Sequence, residues 1–272
     1  MKKIILALCL ILWSCGDFTD SPFSDEVTTG TRNSNSKQLE RIKAQPQPSG
    51  PWSFALLTDT HLDYEDTERI VTTINRQDAL FTVHLGDMTM ISSPVEYDSF
   101  TELIRRLDKP FFVAVGNHDV IVKGRDIYKK IFGPYNLSFE YGGFRFIVFN
   151  DIGAEYILDF DWLNNEVDTS FLPVFIFSHA GLSSPDVQSD EDMRNYAAVM
   201  EKPQVKALFY GHKHMFEEAY ITAADGQQKL IQQISTARSQ YHAIVHLNGP
   251  NIAIDYCYKG ICSEEVNFTF TY

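Results

Sequence analysis

Six short apolar runs recur along this chain, and each stops at a cluster of polar, chemically able residues. Residues 52–57 stop at Thr58-Asp59-Thr60-His61, 79–85 at Gly86-Asp87, 110–115 at Gly116-Asn117-His118-Asp119, 144–149 at Asn150-Asp151, 172–177 at Ser178-His179, and 205–210 at Gly211-His212-Lys213-His214. Runs this short, with little polar alternation, predict strands buried on both faces, as in a parallel or mixed sheet beneath helices. Helical patterns fill the gaps, at 66–76, 126–132, 159–167 and 190–200. Another opens at Ser93-Pro94-Val95-Glu96, with a capping serine, proline at the first position and glutamate at the third. Beyond His214 the pattern becomes strands, at 218–222, 230–234, 242–247, 252–258 and 266–271, with Asp225-Gly226 and Asn248-Gly249 as turns. The polar clusters therefore share one sheet edge, which is where open α/β sheets bind ligands.

Composition narrows the class. Hydrophobic residues make up 44% and charged residues 22% of the 272 positions. This ordinary globular usage excludes a collagen-like, coiled-coil or wholly disordered chain. The formal net charge of −13 would repel a phosphate backbone, so duplex nucleic acid is not an expected partner. No apolar run reaches the ~18 residues of a spanning helix. Lys2 and Lys3 precede an apolar stretch at 4–13, and Ser14-Cys15-Gly16 follow. This resembles the lipobox of bacterial lipoproteins, with Trp13 bulkier than the usual pattern. Residues 1–14 are expected to be a lipoprotein signal peptide. Residues 15–50, polar and proline-rich, are expected to be a flexible tether from a lipid on Cys15. The expected location is exported and lipid-anchored to a bacterial membrane, on its periplasmic face or at the cell surface. Asp17 and Asp20 behind the cysteine are similar to the surface-export signal of some lipoproteins.

Two cysteines remain, in Tyr256-Cys257-Tyr258-Lys259-Gly260-Ile261-Cys262. With Lys259-Gly260 as a two-residue hairpin turn, Cys257 faces Cys262 and a disulfide can close; two buried thiols are the alternative. The spacing does not read as a metal site, because no second Cys/His pair lies near it.

Five of the edge clusters supply Asp59, His61, Asp87, Asn117, His179, His212 and His214. They offer oxygen and imidazole nitrogen with no thiolate, a set suited to Mn, Fe or Zn. Two ions ~3.5–4 Å apart with one shared carboxylate would clamp the attacking and leaving oxygens of a displacement at phosphorus. Asp-x-His, Gly-Asp, Gly-Asn-His-Asp, a lone strand-end His and Gly-His-x-His, in that order, resemble the calcineurin-like metallophosphoesterase superfamily over roughly residues 51–260.

The resemblance implies an α/β (α+β) fold, a four-layer αββα sandwich of two mixed β-sheets, metallo-dependent phosphatase-like, here spanning 51–272. It implies two divalent or trivalent metal ions, one on Asp59, His61 and His214 and the other on Asn117, His179 and His212, bridged by Asp87 and a hydroxide. His118 is then the general acid to the leaving oxygen, with Asp119 orienting it. The expected reaction is hydrolysis of a phosphate mono- or diester on a phosphorylated small molecule or nucleotide. The alternatives are a cyclic-nucleotide or nucleotide phosphodiesterase of the same superfamily, and a non-catalytic ligand-binding surface lipoprotein that keeps the fold. Gly86-Asp87 continues as Met88-Thr89-Met90-Ile91, unlike the protein Ser/Thr phosphatases, and Met90 stands where purple acid phosphatases carry a tyrosine. His84 is read as packing or support behind the ligands. His242 and His246 receive no role, and Asp63 and Asp151 are read as solvated loop carboxylates.

Overall fold

The structure, a computed structural model, describes residues 23–152, 158–182 and 184–271. The leader and Cys15 lie outside these residues. Strands β1 (Trp52–Leu57), β2 (Ala79–His84) and β3 (Phe111–Val113) are parallel neighbours. Strands β4 (Leu137–Tyr141), β5 (Phe144–Val148), β6 (Val174–Phe177), β7 (Val205–Tyr210), β8 (Glu217–Thr222) and β9 (Gln228–Gln233) form a second sheet in the order β4-β5-β6-β7-β9-β8. Strands β10 (Tyr241–Asn248), β11 (Asn251–Tyr258) and β12 (Ile261–Thr269) return to the first sheet, giving β12-β11-β10-β1-β2-β3. Both sheets are mixed.

Alternation along β1 shows why its sequence is apolar throughout. Phe54 and Leu56 face the space between the sheets, where they meet Phe81, Phe146, Phe177 and Phe209. Ala55 and Leu57 face helices α2 (Tyr64–Ile74), α3 (Pro94–Ile104) and α4 (Gly124–Ile131). Helices α5 (Phe160–Asp168) and α6 (Asp190–Met200) cover the other sheet through Leu163, Val167, Tyr196 and Val199. The four layers are those the resemblance implies. Ser93 caps α3 and Glu96 reaches back to it, as the sequence pattern predicts. Strand β4 was not foreseen; it is an edge strand, joined to β5 by Gly142-Gly143, both at positive φ. Lys259 and Gly260 also have positive φ, the twist a two-residue hairpin needs, and Cys257 stands opposite Cys262 in a disulfide.

The tether reading needs correction from Thr28 onward. Helix α1 (Ser34–Lys43) packs on the domain with Ile42 buried. Thr28 and Thr29 bond Asp98 at the side of α3. Asn35 donates to the Val113 carbonyl and accepts from the Val113 N–H, both at 3.0 Å. One carboxamide thus covers the open edge of β3, which would otherwise present unpaired backbone. Polar anchoring of this kind leaves no apolar periodicity, so composition alone reads as a linker. Replacing Asn35 by Ala should strand the buried Val113 N–H and lower stability by about 1–3 kcal/mol in urea titrations. An unchanged midpoint would mean that the segment is not anchored there.

Candidate metal centre

Parallel strands from both sheets end at one place. β1 and β2 deliver Asp59, His61 and Asp87, β3 leads to a 3-10 turn at Asn117–Asp119, and β6 and β7 deliver His179, His212 and His214. The loops stitch across. Asp59 N–H donates to Gly86 O at 2.9 Å, His61 N–H to Asp87 O at 3.1 Å, and His212 N–H to Asp59 Oδ2 at 3.0 Å. Gly116 and Gly211 are required by close approach. A Cβ on Gly116 would sit 2.2 Å from Asp87 Oδ1, and one on Gly211 2.1 Å from Thr58 Oγ1. Asp59, His61, Asp87, His212 and His214 all have positive φ, between 44° and 72°. Such backbone costs about 1–3 kcal/mol per residue, and it collects where the surrounding structure fixes it.

The seven predicted ligand residues come together in two groups. Side-chain ligand atoms of Asp59, His61 and His214 lie within 4.8 Å of one another, as do those of Asp87, His179 and His212. His214 Nε2 is 3.1 Å from Asp59 Oδ1, and 3.4 Å from His61 Nε2. Asn117 Oδ1 joins the second group, 3.1 Å from His179 Nε2. Asp87 Oδ2 lies between the groups, 3.3 Å from His179 Nε2 and 3.9 Å from His61 Nε2.

The electrostatics call for positive charge. Asp59 and Asp87 are buried, and their ion-pair partners among the described residues are histidines. Burial pushes Asp87 up, but the His179 charge and hydrogen bonds from His179 and the His118 backbone win and hold it below the usual carboxylate range. Burial likewise pushes Asp59 up, and His214 and His179 overcome it. Burial pushes His179 down, while Asp87, Asp59 and Asp151 raise it to about 10. Burial keeps His61 below its ordinary value. A buried anion needs a compensating cation, and here a proton on His179 can supply it.

The donors fit metal ions. His61 Nδ1 is 2.9 Å from Thr89 O, and His179 Nδ1 is 2.9 Å from Leu85 O. A carbonyl only accepts, so Nδ1 carries the hydrogen and Nε2 faces the cluster, the orientation in which imidazole ligates.

His118 stands beside the cluster and belongs to neither group. Its Nδ1 donates to Met90 O at 2.7 Å, its backbone N–H donates to Asp87 Oδ1 at 2.9 Å, and its ring centroid is 5.0 Å from that of His61. Asp119 does not orient it, contrary to expectation. The tight turn aims the Asp119 carboxylate back at the backbone N–H groups of Asp87, Thr89 and Gly116, each at 2.9 Å. His84 lies behind the ligands, 3.2 Å from Thr60 Oγ1, with burial pushing it down to about 3.

Three carboxylates were misread or missed. Asp63 caps α2. Asp151 is fully buried and accepts from the consecutive N–H groups of His179, Ala180 and Gly181. It closes the fourth apolar run, so the strand-end rule that selected the others could have found it. Asp186 Oδ2 is 2.9 Å from His212 Nε2, and no sequence pattern marks it.

A profile of the calcineurin-like phosphoesterase family matches residues 53–216. A curated relative, the 3′,5′-cyclic-nucleotide phosphodiesterase alr5338 of Nostoc sp., is 23% identical over 193 residues, covering 60% of this chain and 72% of that protein. A dimetal phosphatase from Danio rerio shares the fold at 14% identity and TM-score 0.62, over 81% of this chain and 99% of its own. Purple acid phosphatase PPD1 from yellow lupin does so at 14% identity and TM-score 0.64, over 83% of this chain and 54% of its own.

Two outcomes follow from the charge balance. Elemental analysis of the purified protein should find about two ions per chain, with Asp87→Asn losing one or both; full retention would remove Asp87 from the centre. In chelator-stripped protein, the folded His179 holds its proton more tightly than an unfolded histidine. That stabilisation is complete below pH 6.5 and lost as pH rises toward 10. Thermal melts across this window should show the decline, and a flat profile would contradict it.

Proposed function

The chain belongs to the calcineurin-like phosphoesterase family, and from that premise we propose that it hydrolyses a phosphoric mono- or diester at the edge shared by Asp87 and His118. The Nostoc relative, a 3′,5′-cyclic-nucleotide phosphodiesterase, favours a diester, with a cyclic nucleotide as the leading candidate. The observation that carries the reading is the pair of donor groups flanking Asp87, with an uncommitted imidazole, His118, alongside. Asp59, His61 and His214 would hold one ion, Asn117, His179 and His212 the other, and Asp87 both. Bound Mn, Fe or Zn supplies charge neutralisation for phosphoryl oxygens and acidifies water.

The chain's own residues account for the proton. Met90 O fixes Nδ1–H on His118, so Nε2 is the atom that carries the transferable proton. Giving it to the leaving oxygen returns the ring to the neutral Nδ1–H form, which the Met90 bond already favours. The His118 backbone N–H donates to Asp87 Oδ1, so the position of this acid is fixed relative to that carboxylate. Asp119 acts through the loops, by locking Asp87 and Gly116 to each other.

His118→Asn should keep the metal content and lower kcat about 10²–10⁴-fold on alkyl esters, with a smaller loss on aryl esters whose leaving groups need little protonation. Equal losses on both classes would remove His118 as the acid. A panel of aryl mono- and diesters and 3′,5′-cyclic nucleotides tests the wider reading; no turnover with any added Mn, Fe or Zn would overturn it.

We also propose an exported, lipid-anchored location, supported by the Cys257–Cys262 disulfide, which suits an oxidising compartment. Cys15→Ser should release the protein from the membrane fraction, and continued sedimentation with membranes would count against the anchor.

A further inference from the structure

His242, Cys257 and Cys262 form a row across three adjacent strands. His242 of β10 stands opposite Cys257 of β11, and Cys257 opposite Cys262 of β12. Cross-strand partners share a face of the sheet. This is the helix-covered face, where Cys257 packs in one cluster with Val71 and Ile74 of α2. One His242 ring nitrogen and the two sulfurs lie within 4.8 Å of one another. None of the three belongs to the candidate metal centre.

The row leaves two polar groups unsatisfied. His242 is fully buried, and among the described residues neither ring nitrogen makes a hydrogen bond of good geometry. Burial takes it down to about 4, against a weak hydrogen bond to the Gln240 backbone, so the ring is neutral at ordinary pH and one of its nitrogens keeps a lone pair. A buried polar group left so poorly paired is costly. The joined sulfurs give no relief, because a disulfide has no proton to donate. Gln77 is the second group. Its Nε2 is 3.3 Å from Cys262 Sγ, while its buried Oε1 has no partner among the described residues. Cys262 is only half-buried, and with Gln77 it lines an open cleft of about 1070 Å³ that gives access from solvent.

We propose that reduced Cys257 and Cys262, with His242, form a binding site for a thiophilic divalent cation of the Zn²⁺ class, with Gln77 Oε1 as fourth donor. Disulfide and cation are then alternative occupants of the same row. Two thiolates and one imidazole are the soft and borderline donors such an ion selects, and an oxygen completes four-coordination. The chemistry balances. A phosphine and water break the S–S bond, the phosphine is oxidised to its oxide, and two thiols form. A divalent cation bound by both sulfurs then displaces two protons. An oxidising compartment favours the disulfide, so the cation belongs to the reduced chain.

The test uses the mature chain, reduced anaerobically with a trialkylphosphine and titrated with Co²⁺. With Cys9 and Cys15 replaced by Ser, and the candidate phosphoesterase centre offering only oxygen and nitrogen, a thiolate-to-cobalt charge-transfer band reports this row alone. The reduced protein should gain that band and one more ion per chain than the oxidised protein. Cys262→Ser, at a half-buried position, should lose about half or more of the band, and His242→Gln should bind Co²⁺ about tenfold or more weakly. Three results would overturn the proposal: no band in the reduced wild type, loss of far-ultraviolet circular dichroism on reduction, or a band unaltered in both variants.

Discussion

Two buried carboxylates, with no lysine or arginine partner among the described residues, govern this molecule. Asp59 and Asp87 sit where the strands of two sheets converge, and their ion-pair partners among the described residues are imidazoles. Burying an anion in this way is unfavourable unless hydrogen bonds and positive charge compensate. The hydrogen bonds come from Thr58, the His212 N–H and the His118 N–H. The charge comes from His179 and His214, or from cations that replace their protons. A cation bound here would answer a demand set by how the carboxylates are buried, rather than being an addition to the fold.

That demand explains the local backbone. Five ligand-type residues adopt left-handed φ, and Gly116 and Gly211 allow loops to approach Asp87 and Asp59 closer than any side chain permits. Asp119 bonds three backbone N–H groups from two loops and holds the strained turns in place. Strain at a site persists only where surrounding structure overdetermines it. The double-sided burial of β1, β2, β6 and β7 supplies that rigidity, which is also why their sequences are continuously apolar.

Legibility in the sequence follows from how each feature is encoded. The six apolar runs correspond to β1, β2, β3, β5, β6 and β7, because burial on both faces leaves an unmistakable composition. The residues that close those runs gather at one edge, because parallel strands share a direction. Strand β4 escaped notice because edge strands carry weaker patterns. The segment from Thr28 to Ile42 read as linker because its anchors, Asn35 on Val113 and Thr28 on Asp98, are polar and long-range. Asp119 was assigned to the wrong partner because a turn's direction is invisible in a motif. The His242, Cys257 and Cys262 row depends on the register of three strands, and pairing register is not written in local spacing.

The proposed function places Asp87 between two separate cation sites. Anomalous scattering from a crystal soaked in Mn²⁺ measures this directly. Two peaks are expected, one among Asp59, His61 and His214, the other among Asn117, His179 and His212, with Asp87 liganding both. A single peak, or peaks away from these residues, would contradict it.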